Sequence, residues 1–512
     1  MNTAMIESFW EQTNTIPQLV YDRTAAFAGR PVNMFQENGK WVTISYYELS
    51  VIAENVALGL MKLGFKTGDL AGIKSATSAY WTWADLGIIF AGCPSVSIYP
   101  TLGEEDTIFI ANHSQMKGCF AGTKKILFEM LKYSRQMPGV KYYFCLEKGF
   151  TGNGVDIFGL DELMEMGNAA RGELYDEMKA RQAALTKESP LSMVYTSGTT
   201  GVLKGAMVSH GGVLHAAYGG YKHMAQHGHP ETYNLKTMCV LPLSHILAKV
   251  DDYYGPLCNG GMIGFSSPAT ILADFQVIRP TWVMFVPRLL SRIYLGMQQA
   301  VSATEAGKAA WDWAMDIAMK ASYALEDENG FIDTTVPIAE QLEKKDPELK
   351  AQWEAAYNGA YYRLHQVFGG QLWDLCVGGA YLEPELHRKF IGMGFGVTNG
   401  YGLTETASGL FHTRPNAVKI GSVGPAFDDA DIKLDEDGEI LVKRGWCVID
   451  KYWKNEEATK EAFTPDGYFR TGDVGVFDDF GNLTIVDRKK SIIVLDTGKN
   501  VAGAKVEGVC SM

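Results

Sequence analysis

Apolar residues recur at helical spacing through residues 43–63, at Tyr47, Val51, Val56, Leu60 and Leu63, and the run stops at Gly64. After a Gly-Asp turn, residues 66–73 read as a strand, 79–91 as a second helix and 94–98 as a second strand, and 109–121 repeats the alternation. Helix and strand taking turns predicts a sheet covered by helices. Residues 169–186 are polar and helical, a connector into a short strand at 191–195. A helix over 211–225, a strand over 238–243 ending at His245, a strand over 281–287 and an amphipathic helix over 288–301 follow. From 304 to 367 a charged tract rich in Ala, Trp and Tyr predicts helix, interrupted near Asn329-Gly330, with its charges on a solvated face. The character then changes to glycine-punctuated strands. Strands at 372–377 and 397–403 precede short strands over 421–445 and 467–486, with turns at Asp437-Gly438 and Gly481-Asn482, as in a small barrel or sheet. No repeat of fixed period is visible.

Composition narrows this picture. Hydrophobic residues make up 46% and charged residues 21% of 512, which permits a large core, excludes a disordered chain and leaves room for about three domains or subdomains. A net charge of -13 and a pI near 5.3 oppose nucleic acid and anionic membrane, since no Lys/Arg run offsets them. The eight cysteines are scattered without a C-x-x-C pair, so neither a zinc site nor a disulfide framework is indicated, and a reducing cytoplasm is the simplest home. Residues 1–11 carry acids and lack the basic start and apolar stretch of a signal peptide. The longest apolar run, 86–99, falls short of a bilayer span and reads as a buried strand and its approach.

Residues 193–205 carry the first candidate chemistry: M-V-Y-T-S-G-T-T-G-V-L-K-G. Glycines let the backbone approach another molecule closely. Exposed N–H groups and the hydroxyls of Thr196, Ser197, Thr199 and Thr200 can then donate to phosphate oxygens, with Lys204 adding charge at the loop mouth. The spacing is not that of a Walker A loop, G-x-x-x-x-G-K-[ST]. By itself the stretch also suits a flexible surface turn, and His245 by itself suits packing.

Five motifs stand in order: Y-T-S-G-T-T-G-V-L-K-G at 195–205, G-G-A at 378–380, Y-G-L-T-E-T at 401–406, Y-F-R-T-G-D at 468–473 and D-R-K-K at 487–490. Together they resemble the adenylate-forming superfamily of acyl-CoA synthetases, peptide-synthetase adenylation domains and luciferases, over essentially the whole chain. The likeness is closest to long-chain fatty acyl-CoA synthetases, through I-Y-P-T-L at 98–102, L-P-L-S-H at 241–245, W-D-W-A at 311–314 and Y-W-K-N-E-E-A-T at 452–459. The resemblance implies an α/β fold. A large multi-subdomain N-terminal AMP-binding domain, two helix-covered sheets plus a small β-barrel, would span 1–487. Residues 488–512 would be the hinge and first segment of a truncated C-terminal domain.

The implied activity is ATP-dependent conversion of a fatty acid to its acyl-adenylate and transfer to CoA, with Mg²⁺. A carboxylate is a poor acyl donor, and adenylation supplies AMP as a leaving group. Charge builds on phosphate oxygens, so the step needs positioning, a metal ion and donors more than a base. By resemblance, Thr196, Ser197, Gly198, Thr199, Thr200, Gly201 and Lys204 would hold the β- and γ-phosphates. Gly378, Gly379, Ala380 and Tyr381 would line the adenine pocket, Tyr381 standing where many relatives carry proline. Tyr401, followed by Gly402, would stack on the base, and Thr404 would touch the α-phosphate. Glu405 would ligate Mg²⁺, Asp473 would accept from both ribose hydroxyls, and Arg488 would sit beside the ribose. Thr196, Lys204 and Glu405 are the expected catalytic residues, Lys490 the hinge. His245 would border the acyl site, and the apolar residues near 281–286 would line an acyl tunnel or pack the core.

The implied partners are small molecules, fatty acid, ATP and CoA, and no nucleic acid. Peripheral membrane contact, acyl length and oligomeric state stay open. Two other readings stay open as well: adenylation with another acceptor or an aryl acid, and a nucleotide or acyl-adenylate binding protein without turnover. The family's smaller C-terminal domain supplies a late lysine and part of the CoA channel. Only its opening segment, with Lys505, is expected after 488, which implies slow adenylation and poor thioester formation.

Overall fold

In the computed structural model, the described residues are 12–197, 203–227, 235–428 and 430–489, with two further short strands, Ile493–Val494 and Asn500–Val501. The largest sheet has seven strands. Their order is Ile157–Gly159, Tyr142–Cys145, Gly118–Ala121, Ala71–Lys74, Ser95–Ile98, Pro190–Ser197 and Leu203–Ser209. All neighbours pair in parallel except the last two, which form an antiparallel hairpin. The central strands are buried on both faces, as a parallel sheet between helices requires. Helices Tyr46–Lys62, Ala79–Phe90 and Leu160–Ala183 share a core with Ile73 and Phe120. Helices Glu104–Ser114 and Lys124–Lys132 pack with Val96, Ile98 and Cys119 in a second core on the other face.

A second sheet is built from two four-stranded ladders. One runs Lys236–Cys239, Met262–Phe265, Pro31–Glu37, Lys40–Ser45, and the other Trp282–Phe285, Asp374–Gly378, Val397–Leu403, Ser408–His412. They meet side by side, the Thr281 N–H donating to the Lys236 carbonyl at 2.9 Å and the Lys236 N–H to Thr281 Oγ1 at 3.0 Å. The third unit is a four-stranded antiparallel sheet in sequence order, Ile432–Leu434, Glu439–Lys443, Tyr468–Phe477 and Leu483–Arg488. A small barrel or sheet is expected in this region; its described residues form this four-stranded sheet, with the Val423 N–H donating to the Leu483 carbonyl at 2.8 Å along its outer strand.

Several element boundaries differ from the periodicity for local reasons. The helix expected over 43–63 begins at Tyr46, because residues 40–45 pair as a strand and Ser45 with Glu48 forms a capping box. The strand expected over 66–73 shortens to Ala71–Lys74, since Asp69 closes a turn by accepting from the Lys66 N–H at 2.9 Å. The apolar run 86–99 is the end of one helix, a turn and a strand, rather than a strand and its approach. The tract from 304 to 367 is broken more than once. Glu305–Ala324 ends before a turn, and Phe331–Ile332 pairs with Val418–Lys419. Pro347 then opens a new helix, Pro347–Ala356, which a proline favours at its first turn.

One buried ion pair joins these layers. Lys249, in the π-helical segment Ala248–Tyr254, is fully buried. Its ammonium reaches Asp85 Oδ1 at 2.9 Å, Ser95 Oγ at 3.0 Å and Ser192 Oγ at 2.7 Å. The Tyr254 hydroxyl donates to the other oxygen of Asp85. A helix and two central strands of the first sheet are thereby bonded to a segment that lies over the second. Among the described residues no helix is long and apolar enough to cross a membrane.

Candidate active site

A cleft of about 860 Å³ gathers side chains from three hairpins that are far apart in the chain. The first hairpin pairs Pro190–Ser197 with Leu203–Ser209, placing Thr196 opposite Lys204 and Tyr195 opposite Gly205. Met193 and Tyr195 pack in the second core, and Tyr195 and Thr196 both reach the cleft. The Tyr195 hydroxyl is bonded to His113 Nδ1 at 2.9 Å, which fixes the strand just before Thr196.

The second hairpin pairs Val397–Leu403 with Ser408–His412 and carries the turn Thr404–Thr406 at its tip. Thr406 closes that turn, its hydroxyl accepting from the Leu403 N–H at 2.8 Å and donating to the Ser408 carbonyl at 2.9 Å. The ladder shifts register between Tyr401 and Gly402. A Cβ on Gly402 would stand 1.8 Å from the Ser408 carbonyl oxygen, so the shift requires glycine. Ala407 and Ser408 then take φ values of 54° and 104°, turning the chain back and leaving Glu405 at the tip.

The third hairpin belongs to the small sheet and sets Asp473 across from Arg488. Gly472 adopts φ 72°, and its N–H donates to Glu439 Oε1 at 3.0 Å. Asp473 is 4% exposed. One of its oxygens takes Arg488 Nε at 2.9 Å and the other accepts from the Tyr401 hydroxyl at 2.7 Å. Burial raises the Asp473 carboxyl above its ordinary range, with the Arg488 charge and the Tyr401 hydrogen bond acting against it.

Thr196, Lys204, His245, Gly378, Gly379, Tyr401, Gly402, Thr404, Glu405 and Arg488 all line the cleft. Asp473 stands behind Tyr401 and Arg488, bonded to both. Ala380 and Tyr381 do not line it: the chain turns out of the strand at Gly379, with φ 78°, and leaves both exposed. His245 is at the cleft, its Nδ1 accepting from the Leu247 N–H at 3.2 Å, and desolvation lowers its pKa below the ordinary 6.5. Gly198, Thr199, Thr200, Gly201 and Lys490 lie outside the described residues, as does the Ser197 side chain.

Three polar cleft residues escaped the sequence reading. Tyr452 donates to Glu405 Oε1 at 2.7 Å. Glu439 takes Lys489 at 3.1 Å and Arg470 at 3.5 Å, holding two cations at the rim. Asp251 accepts from the Ser408 hydroxyl at 2.7 Å, and burial lifts its carboxyl to about 7. The adjacent pair Asp251-Asp252 amid apolar residues was a readable signal for buried acids. Tyr452 opens the Y-W-K-N stretch, but its partner is 47 residues away. Ala217, Met224, Met284 and Phe427 form an apolar inner wall.

The donor set suits a nucleoside polyphosphate with a hard cation. Glu405 is a single partly exposed carboxylate with the Thr196 hydroxyl 3.4 Å away. Among the described residues no group of three His, Cys, Asp or Glu could hold a metal alone. An ion here would draw on substrate oxygens and water, as Mg²⁺ does beside phosphates.

The family model for AMP-binding enzymes matches residues 20–453. The long-chain-fatty-acid–CoA ligase FadD15 of Mycobacterium bovis is 33% identical over 475 residues, which is 92% of this chain and 73% of that protein. Among solved structures, a Mycobacterium tuberculosis fatty acyl CoA synthetase superposes with a TM-score of 0.67 at 20% identity, over 97% of this chain and 82% of that one. The N-terminal domain of FACL13 from Mycobacterium tuberculosis gives 0.66 at 19%, over 92% of this chain and all of that domain. A match running through most of the length, on a fold shared with these synthetases, makes the chain a member of the AMP-binding enzyme family.

Proposed function

We propose that the protein joins a long-chain fatty acid to coenzyme A, using ATP and passing through the acyl-adenylate. The observation that carries this reading is the convergence of Thr196, Lys204, Glu405, Tyr401 and Arg488 on one cleft, with Asp473 behind them. In the first step the substrate carboxylate attacks the α-phosphorus and pyrophosphate leaves. In the second the thiol of coenzyme A attacks the acyl carbonyl and AMP leaves.

Each residue has a task that its surroundings allow. Lys204 and Thr196 neutralise and hydrogen-bond the departing phosphates. Asp473 accepts from the ribose hydroxyls with the lone pairs that Tyr401 and Arg488 leave. Tyr401 presents its ring to the base. Glu405, with Thr196 beside it, would hold a Mg²⁺ ion, which when bound would offset the charge that accumulates on the phosphates. The apolar inner wall suits an acyl chain, and His245, neutral at physiological pH, borders it. The seven buried free thiols among the described residues support a cytoplasmic setting.

The deciding experiment is acid-dependent ATP–pyrophosphate exchange, comparing hexadecanoate, octanoate and benzoate. Fastest exchange with hexadecanoate is expected. Preference for benzoate would overturn the acyl class, and ATP binding without exchange for any acid would leave a nucleotide-binding protein.

A further inference from the structure

Tyr452 makes contacts with both charged residues at the phosphate end of the cleft. Its hydroxyl donates to Glu405 Oε1 at 2.7 Å, and the Lys204 ammonium lies 5.3 Å from the centroid of its ring. The side chain is 8% exposed. Its backbone is held from several directions. Tyr452 forms an antiparallel bridge with Ala206, and the Trp453 N–H donates to the Gly205 carbonyl at 2.8 Å. The Tyr452 N–H donates to Thr459 Oγ1 at 3.0 Å, and the Trp453 indole to the His113 carbonyl at 3.1 Å. The phenol is therefore built onto the hairpin that carries Thr196 and Lys204, whereas Glu405 arrives on a different hairpin. The Tyr452–Glu405 bond spans the two.

A carboxylate on a turn has rotational freedom that a metal site must remove. One oxygen of Glu405 is occupied by a strong donor whose position is set by another element. The second oxygen is left in a defined direction, and the Thr196 hydroxyl approaches the same Oε1 more distantly, at 3.4 Å. We propose that Tyr452 is a positioning residue for Glu405: it fixes the carboxylate so that a single oxygen is offered to the cation, and it ties that offer to the lysine beside the phosphates. This rests on the metal role given to Glu405 above. Partners that orient a ligating carboxylate commonly contribute roughly 10- to 100-fold to metal affinity.

The test is calorimetric titration of ATP into the purified protein at a series of MgCl₂ concentrations and in EDTA. Four proteins are compared: the unaltered chain, Tyr452→Phe, Glu405→Gln and the double variant. Tyr452→Phe retains the ring and its contact with Lys204, and removes only the donor. The Mg²⁺ concentration giving half the maximal gain in ATP affinity should rise about tenfold, while affinity in EDTA stays unchanged. In the Glu405→Gln background the same substitution should add nothing. An unchanged Mg²⁺ requirement in Tyr452→Phe, or an equal effect with and without Glu405, would overturn the proposal. If Glu405→Gln itself leaves the Mg²⁺ requirement untouched, the metal role of Glu405 falls, and the role of Tyr452 with it. Thermal unfolding of Tyr452→Phe checks that the comparison is between folded proteins.

Discussion

Glu405 lines the cleft and Asp473 stands behind it, and the surroundings of the two carboxylates differ. Glu405 sits on a turn with hydroxyl donors and is partly exposed. Asp473 is buried against a guanidinium and a phenol. Asp473→Asn keeps the shape but loses the charge facing Arg488 and one acceptor oxygen. Hydrogen bonds to charged groups contribute about 1.5–3 kcal/mol, so ATP affinity measured by calorimetry should fall about tenfold or more; an unaltered affinity would remove Asp473 from the site. His210 gives a different kind of prediction. It is 1% exposed, and its Nδ1 accepts from the Ile16 N–H at 3.1 Å. Burial lowers its pKa from 6.5 to about 3. Between these values the unfolded chain binds more protons than the folded one, so stability is intact above pH 6.5 and declines as pH drops toward 3. The slope from this group is about 1.4 kcal/mol per pH unit. In His210→Gln, which keeps an acceptor without a titration, the urea midpoint should decline less steeply over that window. Equal slopes would mean that His210 is charged in the fold.

At the scale of elements, the Gly402 register shift is what aims the tip of its hairpin. Gly402→Ala puts a methyl 1.8 Å from the Ser408 carbonyl, and relief would have to open the ladder. A loss of about 1–3 kcal/mol is expected, read as a lower melting temperature together with weaker acid-dependent exchange. A variant with unchanged melting and exchange would show that the hairpin tolerates the displacement. The strand at 397–403 was legible as a glycine-punctuated stretch that leads into the polar turn Thr404-Glu405-Thr406. Leu203–Ser209 was not, since Lys204 and Gly205 read as part of the loop, and only pairing with Pro190–Ser197 makes them strand. The helical tract after 304 showed one break where the fold has several, because Pro347 and the Phe331–Ile332 bridge interrupt it without disturbing its charged, Ala-rich composition.

At the scale of the whole molecule, the Lys249–Asp85 pair, with both side chains fully buried, is costly to halve. Asp85→Asn would leave a buried ammonium uncompensated, and about 3–5 kcal/mol should be lost in urea unfolding. Asp85→Leu with Lys249→Met should recover most of it, and equal losses in both variants would mean that the pair itself is not what matters. Nothing in the sequence linked Lys249 to Asp85 across 164 residues. The nucleotide motifs were legible because each carries its own chemistry on a short stretch, while the contacts between them, Tyr452 with Glu405 above all, depend on distant segments docking. The small sheet carries one more consequence of this docking. Its last strand ends with the Lys489 N–H bonded to the Gly472 carbonyl at 2.8 Å and the Lys489 ammonium 3.1 Å from both Asp437 and Glu439. The chain thus leaves the sheet from a fixed point on the rim of the cleft. The contour of five residues is at most about 18 Å, so whatever group follows within that distance along the chain is confined beside the cleft, whatever its concentration in solution.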